Sequence, residues 1–273
     1  MNDDDVGLTD LIEHRIDTGN HPPIRQRQYR IPATVNDEVD RQVQEMLRNN
    51  IIEESSSPWT SPMMIVKQKA RDGKVKFRFV IDMRKLNDIT IKDAFPLPRI
   101  DQTLDALGGA VYLSVVDAAR GFFQVPLNER DREKTAFVAN NKLYQFRVMS
   151  LGLANAPSTY SRLMDLVLNG LTYRYCLVYL DDTIIYSKSF DEHLKHLEEI
   201  FDRFINAKLK LKPGKCSFAA DEVPYLGFIV TTTGQSEVGG QFAHRSLIFI
   251  TFYLRKIKFE KKIKLCSKKC YIF

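Results

Sequence analysis

The amino-acid sequence predicts an α+β fold, in which antiparallel strands pack against helices. Strong strand-forming residues flank the pair Asp181-Asp182 in the segment 176–186, which predicts a β-hairpin. The dipeptide Asp72-Gly73 lies between two apolar segments and predicts a second hairpin. Segments with helical spacing occur irregularly among the strands, and this irregular order favours α+β over a doubly wound parallel sheet.

In the first half of the chain, the predicted elements follow a polar leader. Residues 1–33 contain three prolines, which predicts an extended segment. Apolar residues at helical spacing from Val35 to Leu47 predict a helix, with Thr34 as its N-cap. The Ser-Ser-Ser-Pro sequence at 55–58 ends this helix. Strands are predicted at 63–66, at 76–81 and at 111–116, the last of them ending at Asp117.

The second half of the chain adds two helices around the acidic hairpin. Pro157, close after Asn155, predicts the start of a helix with Tyr160 on its apolar face. An amphipathic helix is predicted at about 190–208 and would pack on one face of the sheet; its apolar stripe is Leu194, Leu197, Phe201 and Phe204. Pro213-Gly214 ends this stretch, and residues 223–230 predict one more strand.

Charge and composition divide the chain into a body and a tail. The 273 residues carry a formal net charge of +6, but residues 235–273 contain nine Lys/Arg against two Glu. The basic charge therefore belongs to this tail, whose composition predicts a frameshifted or disordered segment. The four cysteines lack zinc-finger or disulfide spacing, and Cys176 is predicted to be a core residue. An acidic N-terminus without an apolar segment predicts an intracellular protein without secretion signal or membrane span.

The acidic pair is the first candidate site. Two carboxylates at a hairpin tip are electrostatically costly unless a cation is supplied, and Mg²⁺ takes one or two carboxylates while keeping positions for water and phosphate. The alternative is that Asp-Asp is an ordinary turn dipeptide. Asp117, at a strand end, is a third candidate ligand, and three converging carboxylates suit two ions that assist displacement at phosphorus. Arg78, between Phe77 and Phe79, could hold a triphosphate.

Several segments together resemble the reverse transcriptases of gypsy-class LTR retrotransposons. They occur in the order and spacing of that family and are residues 77–87, 95–101, 113–124, 152–157 and Leu177-Val-Tyr-Leu-Asp-Asp182. Residues 16–19, 22–27 and 225–228 resemble the family too. The resemblance covers about His14 to Gly234. It replaces the turn-dipeptide interpretation of Asp181-Asp182.

The resemblance implies a right-hand polymerase with fingers and palm. The leader would be 1–33, the fingers 34–91 and 125–155, the palm 92–124 and 156–234, and the tail 235–273. The implied activity is RNA-directed DNA polymerisation from dNTPs on an RNA or DNA template with a primer. Asp117, Asp181 and Asp182 would be the catalytic residues and the ligands of two Mg²⁺ or Mn²⁺ ions.

The resemblance also implies the substrate contacts. Arg78 would bind the triphosphate with Lys67 or Lys69, and the backbone amides of Arg120 and Gly121 would assist. Phe122 would exclude a 2′-hydroxyl. Leu151 would lie beside the templating pair, and a hairpin formed by Tyr225, Leu226, Gly227 and Phe228 would steady the primer terminus.

The chain departs from the family pattern in three places. Ser150 and Leu151 replace the usual Pro-Phe, which would loosen that turn and weaken nucleotide stacking, and Phe123 stands where a polar histidine is common. The resemblance stops at Gly234, so a thumb is not expected within the printed sequence. The alternative function is therefore an inactive remnant that binds nucleic acid, for which the basic tail is the candidate.

Overall fold

The computed structural model describes residues 7–69, 75–96, 98, 103, 105–226, 228–231 and 234–237. For Lys69, Lys76 and residues 234–237, only the backbone is described. The Asp72-Gly73 loop and tail residues 238–273 lie outside these ranges. The chain divides into two compact units, the first formed by Met1–Pro96 and Arg120–Arg162 and the second by Leu97–Ala119 and Leu163–Phe273.

The first unit contains two antiparallel sheets and most of the short helices. Its three-stranded sheet has the order β1-β6-β5, and its two-stranded ribbon is β2-β3. The strands are β1 (Ile52–Glu54), β2 (Met63–Lys69), β3 (Val75–Ile81), β5 (Phe137–Ala139) and β6 (Lys142–Phe146). The helices are α1 (Asn36–Arg48), α2 (Arg84–Ile89), α3 (Glu129–Arg132) and the start of α4 (Ala156–Val167).

The leader is anchored along the first unit by specific hydrogen bonds. The Ile16 backbone N–H donates to Asp131 Oδ2 at 3.0 Å, and Lys134 Nζ donates to the Ile16 carbonyl at 2.6 Å. The buried His14 ring pairs with the Thr159 hydroxyl at 2.8 Å. This part of the leader is therefore bound to the first unit by specific hydrogen bonds, which its polar composition did not predict.

The second unit is built on a four-stranded antiparallel sheet of order β7-β8-β4-β9. Its strands are β4 (Tyr112–Asp117), β7 (Cys176–Tyr179), β8 (Asp182–Ser187) and β9 (Ser217–Ala220). A smaller sheet contains β10 (Glu222–Tyr225), β11 (Phe228–Thr231) and β12 (Gly234–Glu237). Helix α5 (Phe190–Asn206) contacts β8. The fold class is α+β, as predicted.

Side-chain alternation gives the large sheet of the second unit two different faces. On one face, Leu113 and Val115 of β4 pack with residues of the small sheet, including Val223 and Tyr225. On the other face, Ser114 of β4 contacts His193 of α5 at 2.7 Å. Because successive strand residues point to opposite sides, Asp117 shares the face of Leu113 and Val115.

Three element predictions were wrong in detail. Thr34 is not a helix N-cap, because a 3₁₀ turn at Ala33–Val35 precedes α1 and no side chain caps it. Residues 223–230 do not form one strand, since the chain turns at Leu226 between β10 and β11. Leu194 of α5 is only half-buried, whereas His193 is fully buried. The predicted apolar faces of α1 and α5 are otherwise confirmed, as is buried Cys176.

Candidate active site

Asp117 and Asp182 are directly opposite each other on neighbouring strands. The antiparallel register of β4 and β8 pairs Tyr112 with Ser187 and continues without a shift to the pair Asp117 and Asp182. Tyr179 pairs with Asp182 from the other side, on β7. Opposed residues of an antiparallel pair project from the same face, so two carboxylates lie side by side at the end of the sheet.

Asp181 belongs to the two-residue loop that connects β7 and β8. The loop is Leu180-Asp181, so the sequence-based expectation that both aspartates form the tip is corrected: Asp182 is already a strand residue. Leu180 has a φ of 53°, a left-handed conformation that is rare for leucine and costs about 1–3 kcal/mol. Among the described residues, the buried Oδ1 atom of Asp181 has no hydrogen-bond partner.

Burial and charge repulsion both disfavour the ionised forms of Asp181 and Asp182. Burial raises the pKa of Asp181, and the neighbouring charges of Asp182 and Asp117 raise it further. Burial likewise raises the pKa of Asp182, with a second contribution from Asp117. A cation at this end of the sheet would oppose all of these effects.

Lys215 supplies one such cation from a separate segment. It ends the 3₁₀ turn Pro213–Lys215, and its Nζ donates to Asp117 Oδ2 at 2.7 Å. The turn is held against β4 because the Lys212 backbone N–H donates to the Asp117 carbonyl at 2.9 Å. The Lys215 charge also lowers the pKa of Asp181 and of Asp182, against the larger effect of burial.

These residues fit a hard divalent cation, although they do not form a closed cage for it. Within the described ranges, no group of three or more His, Cys, Asp or Glu side chains is arranged to hold a metal ion. Mg²⁺ does not require such a cage, because it is commonly bound by one or two carboxylates with water and substrate phosphates. The side-by-side carboxylates and the unpaired Oδ1 of Asp181 meet that requirement.

Tyr225 lies close to the carboxylates in the same unit. Its side chain is buried, and its hydroxyl has no hydrogen-bond partner among the described residues. Burial raises the pKa of Tyr225, with Asp182 as the next contributor. Leu226, with a φ of 52°, begins the turn, Gly227 lies outside the described residues, and Phe228 starts β11 opposite Tyr225.

The nucleotide-binding candidates belong to the first unit. Arg78 is exposed on β3 and lies opposite Val66, whereas Lys67 lies opposite Phe77. Since successive strand residues alternate, Arg78 and Lys67 project from opposite faces of the ribbon. Lys67 instead lines a cleft with Tyr29 and Arg30. The Lys69 backbone ends β2.

A tight turn positions Phe122. Arg120 has a φ of 54°, and its guanidinium pairs with Glu45 at 2.7 Å. A Cβ atom on Gly121 would lie 2.9 Å from the Tyr160 hydroxyl oxygen, so this position tolerates only glycine without a shift. The half-buried Phe122 ring packs on Tyr160, with 5.5 Å between ring centroids.

Leu151 is exposed on a turn that a distant asparagine braces. Asn87 Nδ2 donates to the Gly152 carbonyl at 2.7 Å, and the Ala154 N–H donates to Asn87 Oδ1 at 2.9 Å. Ser150 is buried below this turn. The sequence analysis missed both Asn87, on the short helix α2, and Lys215, at the end of a 3₁₀ turn, because a single polar residue in so short an element carries no periodic signal.

A comparison with protein families identifies the family of this chain. Residues 65–230 match the family described as reverse transcriptase (RNA-dependent DNA polymerase). This match covers more than half of the chain and includes all three aspartates. The chain therefore belongs to the reverse transcriptase family.

Its relatives define the branch within that family. The chain is 43% identical over 228 residues to the retrovirus-related Pol polyprotein from transposon 297 of Drosophila melanogaster, covering 83% of the chain and 22% of that protein. It is 38% identical to the corresponding polyprotein from transposon gypsy, covering 80% of the chain and 21% of that protein. The predicted resemblance to gypsy-class reverse transcriptases is confirmed, and the chain spans about a fifth of these relatives.

Solved structures agree with the family. A foamy viral protease-reverse transcriptase in complex with an RNA/DNA hybrid matches with a TM-score of 0.79 and 25% identity, covering 87% of this chain and 31% of that chain. The same protein in complex with double-stranded DNA matches with a TM-score of 0.78 and 25% identity, covering 94% of this chain and 54% of that chain.

No helix in the described part of this chain is long and apolar enough to cross a membrane.

Proposed function

We propose that this chain carries the fingers and palm of a retrotransposon RNA-directed DNA polymerase, with its reaction centre at Asp117, Asp181 and Asp182. The first unit would contain the fingers and the second most of the palm. The observation that carries the proposal is the cross-strand pair of Asp117 and Asp182, completed by the unpaired Oδ1 of Asp181. Such an arrangement is costly by itself and becomes favourable when it binds a divalent cation.

The metal ligands would be Asp117, Asp181 and Asp182. They would hold Mg²⁺ or Mn²⁺, and two such ions would be bound when substrate is present. The ions would supply a lowered pKa for the primer 3′-hydroxyl and a counter-charge for the leaving pyrophosphate. The protein's own contribution is positional: the continuous β4–β8 register fixes Asp117 against Asp182, and the strained Leu180 turn directs Asp181. Rigid strands keep these oxygens in place before substrate arrives.

The dNTP would be bound by residues of the first unit. Arg78 is the proposed triphosphate ligand, since a guanidinium can bind phosphate through two parallel hydrogen bonds. Lys67 projects from the other face of the ribbon, and by the same alternation position 69 belongs to the Lys67 face, so we assign the phosphate contact to Arg78 alone. The backbone of Arg120 and Gly121 would assist, Phe122 would contact the sugar, and Leu151 the base pair.

A template with its primer is the proposed macromolecular partner. The solved foamy viral proteins that this chain resembles were determined with an RNA/DNA hybrid and with double-stranded DNA. By that likeness, the hairpin of Tyr225, Leu226, Gly227 and Phe228 would contact the primer terminus. Tyr225 is held in the core beside Asp182, which would couple this hairpin to the carboxylates.

Primer extension tests the proposal directly. The purified chain, an RNA template with a DNA primer, dNTPs and Mg²⁺ or Mn²⁺ should give elongated primer. Asp181→Asn keeps the side-chain size and removes the charge, and it should reduce extension by about 100-fold or more. Equal and negligible extension by both proteins would refute polymerase activity of this chain. Salt-sensitive binding of the primer-template in that case would favour the alternative, a nucleic-acid-binding remnant.

A further inference from the structure

Lys215 contacts Asp117, one of the residues of the proposed metal site. Its Nζ lies 2.7 Å from Asp117 Oδ2, a charge-assisted hydrogen bond to an oxygen that the proposed function assigns to a metal ion. One lone pair of this half-buried carboxylate is thus committed to an ammonium group. The same charge stabilises the ionised forms of Asp181 and Asp182.

The two partners differ strongly in their exposure to water. The Lys215 side chain is 57% exposed, whereas that of Asp117 is 17% exposed. The lysine can therefore leave the ion pair and become fully solvated at little cost, because an exposed ammonium is well hydrated in water. Asp117 cannot follow it, since β4 is paired on both sides and the carboxylate would remain beside Asp182 without a cation.

The backbone keeps the lysine within reach of the site after it leaves. Lys212 N–H donates to the Asp117 carbonyl, and the Ala119 N–H donates to the Lys210 carbonyl, both at 2.9 Å. These bonds join the segment 210–212 to the end of β4, three residues before Lys215. The Lys215 ammonium group is therefore tethered beside the carboxylates. Because its effective concentration there is high, it competes with a metal ion for the carboxylate oxygens.

We propose that Lys215 is an internal counter-cation of the carboxylate site and sets its metal affinity, being exchanged for the divalent ion when that ion binds. The inference rests on the proposed function, because it requires that Asp117 be a metal ligand. In the metal-free protein, Lys215 offsets the repulsion between Asp117 and Asp182. When a divalent ion binds, the lysine is released into solvent.

Titration of the purified chain with Mn²⁺ alone, followed by electron paramagnetic resonance of free Mn²⁺, tests the exchange. Lys215→Met removes the competing charge and should tighten Mn²⁺ binding by about five-fold. Lys215→Arg keeps a cation in reach and should bind Mn²⁺ about as the wild type does. Lys212→Met is the matched control, since it removes the same charge from the same segment and should change affinity less than Lys215→Met.

A second measurement uses thermal unfolding, which does not depend on activity. Lys215→Met should unfold at a lower temperature than the wild type in EDTA, because Asp117 loses its counter-cation, and should gain more stability when Mn²⁺ is added. Unchanged Mn²⁺ affinity of Lys215→Met overturns the inference. If Asp117→Asn also fails to weaken Mn²⁺ binding, the metal site itself is refuted. If Asp117→Asn weakens binding while Lys215→Met has no effect, only the role of Lys215 is refuted.

Discussion

Asp117 and Asp182 occupy directly opposite positions on β4 and β8, so the strand register itself forces two like charges together. Like charges in cross-strand pairs destabilise a sheet by up to about 1 kcal/mol. A register shift of one residue would separate them but would also turn Leu113 and Val115 out of the core. The packing of the sheet therefore maintains an unfavourable charge pair.

The first prediction follows from that pair. Asp182→Asn removes one charge and should raise the unfolding temperature of the metal-free protein by about 2 °C. The same variant should lose most of the stabilisation that Mg²⁺ gives the wild type, because the site loses a ligand charge. Differential scanning fluorimetry in EDTA and in Mg²⁺ measures both effects. A lower unfolding temperature in EDTA would show that repulsion is not the dominant effect at this pair.

Two buried histidines predict loss of stability in mild acid. Burial lowers the pKa of His14 and of His193 to about 4, against an ordinary value of 6.5. For His14, the Asp131 and Asp93 charges act in the opposite direction. For His193, neighbouring His196 lowers the pKa further, and the other contacting groups are Ser114, Ser187 and the Tyr112 ring.

The direction in which stability changes with pH follows from proton uptake by the unfolded chain. Between about pH 4 and 6.5 the unfolded chain binds protons at these positions and the folded chain does not, so stability falls as the pH falls. Each histidine should cost about 2 kcal/mol by pH 5 relative to pH 7. Urea unfolding of His193→Gln across this range should show a weaker pH dependence than the wild type. A pH dependence of His193→Gln equal to that of the wild type would contradict this assignment.

Gly121 predicts a steric effect on the turn that carries Phe122. Gly121→Ala would place a Cβ atom 2.9 Å from the Tyr160 hydroxyl oxygen and 3.0 Å from its ring carbon, both parts of a buried side chain. Such overpacking typically costs about 1–3 kcal/mol. Chemical unfolding should detect this loss. Gly214→Ala is the matched control, because no atom lies within 4 Å of its added Cβ, and it should be nearly neutral.

Periodicity predicted most of the elements but not the contacts that complete the candidate site. The hairpin around Asp181 and the helix α5 follow from residue spacing, because burial of one face dictates the pattern. The residue pattern alone missed the turn at Leu226, since a leucine at a φ of 52° gives no turn signal, whereas the family resemblance implied a hairpin at 225–228. The pairing of Lys215 with Asp117 joins residues 98 positions apart, which depends on tertiary packing and not on local sequence.

Phe122 predicts selection against ribonucleotides, given the proposed function. Its ring packs on Tyr160, and this contact supports the ring in the position that a steric barrier to a 2′-hydroxyl requires. Phe122→Val should raise ribonucleotide incorporation relative to deoxyribonucleotide incorporation by about ten- to a hundred-fold. Single-nucleotide extension with dNTP or rNTP measures the ratio of kcat/KM values. Phe123→Val removes the adjacent ring, which packs on Phe146, and should lower stability without changing that ratio. Equal ratios for wild type and Phe122→Val would assign the ring a packing role only.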